Sequence, residues 1–213
     1  CSMAVKIARA YTKRDKIVTC GYHGWHDWYS IANDKKLGIP FDMQKFVHKA
    51  DYNNLDSFEK LVNDETACVI MEPQMFETPN AGFLEGVLKV CHQTGALLIF
   101  DETVTGFRYP GLLAQNYFKV YPDLTVIGKA MANGVPMAAV GGRTEVMKTC
   151  ENDQFFASTT FGGDCLGLAA TKAVLAELPR HLDRMVEAGS KLTVTFDTAF
   201  GDAARCKGFP TRT

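Results

Sequence analysis

The sequence predicts an α/β fold, a mostly parallel sheet with helices packed on its faces, and two observations predict it. Short, nearly continuous apolar runs recur along the chain, each bounded by Gly, Pro or charged residues. Runs of that kind read as strands buried on both faces. Segments with helical spacing lie between them, and strand-helix alternation implies crossover connections and parallel pairing.

The elements follow in order. Met3, Val5, Ile7, Ala8 and Ala10 carry a helical pattern from the first residues onward, and Ile17 to Cys20 reads as the first strand. Asn33 to Asn54 is the least regular stretch. Its Gly38-Ile39-Pro40 and Tyr52-Asn53-Asn54 are turn chemistry, and a segment of this length without periodicity is expected to be a lid or an active-site loop. Leu55 to Val62 is helical, Ala67 to Met71 is a strand, and Gly82 to Thr94 is a helix with Phe83, Leu84, Val87, Leu88 and Cys91 on one stripe. The next strand, Ala96 to Phe100, runs into Asp101 and Glu102. After a helix over Leu112 to Phe118, the strand Leu124 to Ile127 runs into Gly128 and Lys129, and Met137 to Val140 forms a last strand. From Leu166 the chain turns helical, with Pro179 as a break or kink.

With 213 residues, 46% hydrophobic and 22% charged, the chain has the composition of an ordinary soluble protein and room for one sizeable domain or two small ones. No apolar run approaches the roughly 20 residues that span a bilayer. A net charge of −1 without a basic run gives no footprint for nucleic acid or an anionic membrane, so neither partner is expected. The seven cysteines are odd in number and hold no Cys-x-x-Cys pair, so they are expected to be thiols in a reducing, cytoplasmic compartment. No signal peptide is visible, the first helix has no capping segment before it, and Gly208 to Thr213 closes no element; both ends read as cut.

Neither a G-x-G-x-x-G after a strand nor a G-x-x-x-x-G-K-[ST] occurs. His23, His26 and Asp27 offer two ligands on one helix face without a recognisable third, so no metal site is expected. Asp101 and Lys129 stand at the carboxyl ends of two strands expected to be neighbours, and ligands of open α/β sheets bind beyond those ends. They read as a buried acid and a buried base facing one crevice. A partly desolvated lysine loses its proton more easily and attacks carbonyl carbons. On its own the pair fits a retro-aldol lysine, a salt bridge or a cofactor site.

Five strings add context: GYHGWHDWY from Gly21, VIMEP from Val69, DETVTGFR from Asp101, PDLTVIGKAMANGVP from Pro122 and STTFGGD from Ser158. Collinear over essentially the whole chain, they resemble class III pyridoxal-phosphate-dependent aminotransferases, most of all the branch containing glutamate-1-semialdehyde aminomutase. The resemblance implies a fold-type I large domain over residues 1–178, incomplete at its N-terminus. A long helix and the truncated start of a small C-terminal domain follow over residues 179–213.

The resemblance also implies roles. Lys129 holds pyridoxal 5'-phosphate as a Schiff base and moves the substrate's proton. Asp101 keeps the ring nitrogen protonated, and Tyr22 stacks on the ring. His23 orients Asp101 from behind. Thr103 and Val104 lie under the ring, Thr103 where relatives carry a branched aliphatic residue. Glu72 lines the substrate end. Glu102 is expected to hold a loop or a dimer contact. Thr160 reaches across a homodimer interface to the cofactor phosphate of the neighbouring subunit, with amides of Phe161, Gly162 and Gly163 nearby. Asp164-Cys165 stands where relatives read Asn-Pro, so Asp164 either turns away from the phosphate or marks an altered interface.

The expected activity is amino transfer between an amine or amino acid and a keto or aldehyde acceptor. The alternatives are an intramolecular aminomutase, a decarboxylase, and a non-catalytic or truncated cofactor-binding relative. With segments at both ends missing, the isolated fragment is expected not to turn over.

Overall fold

The computed structural model describes residues 1–211. In chain order the strands are β1 (Lys16–Cys20), β2 (Val47–Lys49), β3 (Thr66–Met71), β4 (Leu97–Asp101), β5 (Leu124–Ile127) and β6 (Ala139–Gly142). The helices are α1 (Ser2–Thr12), α2 (Asp27–Ser30), α3 (Leu55–Leu61), α4 (Phe83–Thr94), α5 (Ala114–Phe118), α6 (Thr144–Met147) and α7 (Cys165–Phe200). One sheet takes all six strands in the order β2-β1-β3-β4-β5-β6. The first five are parallel and β6 runs antiparallel to β5.

Alternate residues of each central strand feed opposite cores, because side chains of a strand alternate between its faces. Ile17, Cys68, Ile70, Ile99 and Leu124 pack with Ala4, Val5, Ile7 and Ala8 of α1. Val18, Val69, Met71, Leu98 and Phe100 pack with Phe58 of α3 and with Leu84, Val87 and Cys91 of α4. Both faces are covered, which is why these strands read as unbroken apolar runs. Cys68 belongs to the first of these cores and Cys20 and Cys91 to the second; burial pushes the thiols of Cys20 and Cys68 up to about 12, so they pack uncharged. No cysteine is in a disulfide.

The structure corrects three expectations. Asn33 to Asn54 is not a structureless lid: a 3-10 helix over Phe41–Phe46 leads into β2, which pairs with β1 at Ile17↔Val47. β2 is an edge strand with only Val47 buried, so it carried no apolar run to read. The last strand lies two residues further on than expected, over Ala139–Gly142. A Cβ at Gly142 would collide with the Asp123 carbonyl oxygen, so glycine there lets β6 approach β5 closely. Finally, of the break or kink expected at Pro179, there is no break: α7 runs on through it. Among the described residues no helix is long and apolar enough to cross a membrane.

Candidate active site

The parallel strands β1, β3, β4 and β5 all end at one edge of the sheet. There the chain leaves β1 into Gly21-Tyr22-His23, β3 into Glu72, β4 at Asp101 and β5 into Gly128-Lys129. A cleft of about 650 Å³ opens over these ends, lined by Cys1, Gly21, Tyr22, His23, Gly24, Glu72, Met75, Phe76, Asp101, Thr103, Val104 and Lys129. The topology alone brings them together, since adjacent strands pair at Met71↔Phe100 and Asp101↔Val126.

Asp101 is 3% exposed, and its carboxylate is held from three sides. Oδ2 lies 2.8 Å from His23 Nδ1 and accepts from the Cys1 thiol at 3.1 Å, while Oδ1 accepts from the Thr103 N–H at 3.1 Å. Burial by itself would raise its pKa, but the hydrogen bond and charge of His23, with the donors of Thr103, outweigh it and hold the carboxyl below its ordinary value. His23 Nε2 lies 3.2 Å from the Cys20 carbonyl oxygen, so each ring nitrogen faces an acceptor. The imidazole is thereby fixed between the Asp101 carboxylate on one side and a main-chain carbonyl on the other.

The turn after β1 depends on glycine. Gly21 has φ +110°, and a Cβ there would meet Glu72 Oε1 at 2.9 Å. That closeness lets Glu72 accept the Tyr22 N–H at 3.0 Å. Tyr29 supports the turn from below, donating its hydroxyl to the Gly21 carbonyl at 2.8 Å and meeting the rings of Tyr22 and His23 edge-on. Tyr22 itself is 65% exposed to the cleft.

Lys129 differs from the buried base expected of it: it is exposed. β5 ends at Ile127, and the chain then steps beyond the sheet into a 3-10 turn over Lys129–Met131 whose buried places go to Ala130 and Met131. Its backbone sits at φ +42°, a region that non-glycine residues seldom occupy and that costs roughly 1–3 kcal/mol. Such strain persists where the surroundings enforce it. Here Phe107, Ala130 and Met131 form a small core backed by Leu178 of α7.

Other expected residues fall on both sides of the cleft. Thr103 and Val104 are half-buried in its wall. Glu102, fully buried, points away: its oxygens accept from Thr105 Oγ1 at 2.9 Å, Ala114 N at 2.7 Å and Gln115 N at 2.8 Å, anchoring the start of α5. Thr160 is exposed and outside the cleft of its own chain. Asp164 turns to α7 as its N-cap, accepting from Gly167 N at 3.0 Å, which satisfies a free helix N–H and complements the helix dipole. His26 does not join His23: it precedes α2, and its Nδ1 meets Ser2 Oγ at 3.1 Å. The residues not anticipated are Cys1, Met75 and Phe76 on the cleft wall and Tyr29 beneath it. For Cys1 the signal was its place at the head of a helix aimed at a strand end, legible only once the fold is known.

The pocket therefore sets an amine and a buried, ionised carboxylate in one cleft beside an open aromatic face. That set fits a flat, cationic heteroaromatic ring with a carbonyl substituent: the carboxylate suits a ring N–H, and the amine suits the carbonyl.

Comparison with known proteins points the same way. The family model for "Aminotransferase class-III" matches residues 1–199. The chain is 38% identical over 200 residues to a 3-aminobutyryl-CoA aminotransferase of Cloacimonas acidaminovorans, covering 89% of this chain and 48% of that protein. It is 39% identical over 207 residues to a glutamate-1-semialdehyde 2,1-aminomutase of Methanothrix thermoacetophila, again 89% of this chain and 48% of the relative. The chain thus spans about half the length of the curated relatives it matches. A solved structure described as a transaminase with PLP bound superposes with a TM-score of 0.87 at 26% identity, covering 95% of this chain and 53% of that one.

Proposed function

This chain belongs to the class III aminotransferase family, and from that premise we propose that its cleft holds pyridoxal 5'-phosphate and that the protein moves an amino group from an amine or amino acid to a keto or aldehyde acceptor. The observation that carries the proposal is the convergence of Asp101 and Lys129, from the carboxyl ends of adjacent parallel strands, on one cleft walled by Tyr22. Lys129 Nζ would attach the cofactor, Asp101 would hold its ring nitrogen, and Tyr22, Thr103 and Val104 would bound the ring. When bound, the cofactor supplies an electron sink for the charge left on a deprotonated substrate carbon.

This chain's own residues do the rest. The Lys129 amine would take the proton that leaves the substrate's Cα and deliver it to the carbon where the transferred electrons come to rest, so that no net proton is gained or lost. Asp101, kept ionised by His23, keeps a proton on the ring nitrogen and so preserves the sink. Glu72 and Phe76 border the end where the substrate enters. The place of Thr160 outside its own cleft supports a homodimer in which it reaches the partner's cofactor phosphate. Seven free thiols support a reducing compartment such as the cytoplasm.

The near-equal identity to an aminotransferase and to an aminomutase supports one second reading, intramolecular amino transfer through the same residues. Three measurements on the full-length protein test these readings. Borohydride reduction followed by peptide mapping should leave the cofactor on Lys129, and Lys129→Ala should abolish turnover while weakening cofactor uptake; a colourless protein that takes up no cofactor overturns the proposal. Candidate amines supplied with and without a separate keto acid divide the two readings, because turnover without an acceptor belongs to the aminomutase.

A further inference from the structure

Asp101 has a second side-chain donor besides His23. The Cys1 thiol donates to Oδ2 at 3.1 Å, the same oxygen that His23 Nδ1 approaches at 2.8 Å. The three side chains form one cluster, with their Sγ, N and O atoms within 4.8 Å of one another. Cys1 enters as the N-cap residue of α1, and His23 enters from the turn after β1. The two donors therefore grip one oxygen from independent elements, while the backbone N–H of Thr103 engages the other.

We propose that Cys1 is a positioning residue for Asp101. Its thiol and His23 occupy Oδ2, fixing the carboxylate's rotation so that Oδ1 is the oxygen turned to a ring N–H in the cleft. A hydrogen bond to an ionised acceptor favours the charged form, so the thiol also helps keep Asp101 ionised. The inference rests on the cofactor reading of the same cleft. A thiol is a weak donor, and a hydroxyl of similar reach can replace it, whereas a methyl or isopropyl group cannot.

The test uses the full-length protein and the variants Cys1→Ser, Cys1→Ala and Cys1→Val. Pyridoxal 5'-phosphate is titrated by fluorescence quenching, and each cofactor-free variant is melted as a check of folding. Loss of one charge-assisted hydrogen bond among several should weaken cofactor binding by about three- to tenfold in Cys1→Ala and Cys1→Val, with Cys1→Ser within about twofold of the wild type. Cys1→Ala binding as the wild type does overturns the inference. So does Cys1→Ser failing as badly as Cys1→Ala, since that pattern belongs to packing.

A second readout needs no cofactor. A thiol bonded to a carboxylate is held as the neutral, unreactive form. Asp101→Asn should therefore speed iodoacetamide alkylation of Cys1 in the cofactor-free protein several-fold, read by mass spectrometry on the Cys1 peptide; an unchanged rate overturns the inference. Wild-type protein that takes up no cofactor removes the proposed function itself. Normal uptake with indifferent Cys1 variants removes only the role of Cys1.

Discussion

Asp101 and Glu102 are adjacent and comparably buried, yet their acidities move in opposite directions. Burial raises both. For Asp101 the His23 pairing and the Thr103 donors reverse the effect, while Glu102, facing only neutral donors from Gln115, Ala114 and Thr105, stays above its ordinary value. A depressed folded pKa adds stability that is present above the unfolded value of 3.8 and is lost as pH falls through the lower folded value. A raised folded pKa in an acid does the reverse, and the contribution of Glu102 declines as pH rises from 4.5 through its folded value. Asp101→Asn leaves His23 buried without an anionic partner, so it should lower stability by about 1–3 kcal/mol at pH 7. That deficit should shrink below pH 3.8. Urea unfolding of both proteins between pH 3 and pH 7 checks it, and a pH-independent difference would remove the ion pair as its cause.

At the scale of elements, Glu102 couples the end of β4 to the start of α5. Three donors converge on its two carboxylate oxygens, so no place remains for an amide NH2. Glu102→Gln therefore sets N–H against N–H and should destabilise the protein by about 1–3 kcal/mol despite its near-identical shape. Denaturant melts measure the loss, and a neutral outcome would mean that α5 is held by its apolar contacts instead. The same scale explains what the sequence reveals. Buried parallel strands were legible because covering both faces demands continuous apolar runs, and Asp101 stood out because it ends one of them. β2 was illegible because a three-residue edge strand with one buried side chain imposes no pattern. The exposure of Lys129 was hidden for a related reason: its apolar neighbours signal the burial of Ala130 and Met131, and only the φ +42° turn decides that Lys129 faces out. Cys1 acts through a contact with Asp101, 100 residues further along the chain, which local spacing does not encode.

At the scale of the molecule, stability should be unevenly distributed, and α7 shows where. With 36 residues it extends about 54 Å at 1.5 Å per residue, far beyond the small core formed by Phe107, Ala130 and Met131 that it touches through Leu178. Its buried residues, Gly167, Thr171 and Leu182, all lie in its first half, while Leu192, Val194 and Phe200 are exposed. The sheet, by contrast, has Val69, Ile70, Leu98, Ile99 and Phe100 wholly buried between two helical layers. Local opening needs less free energy where fewer apolar contacts must break. Hydrogen exchange on the 213-residue chain should therefore rank in three tiers: slowest in β3 and β4, intermediate in α7 as far as Leu182, fastest from there to Phe200. The middle tier bears on function, because that half of α7 backs the strained turn that presents Lys129. Leu178→Ala should move the middle tier toward the fast one and leave β3 and β4 unchanged. Uniform protection from Cys165 to Phe200 would instead mean that α7 opens as one unit, and the turn at Lys129 would then share the stability of the whole helix.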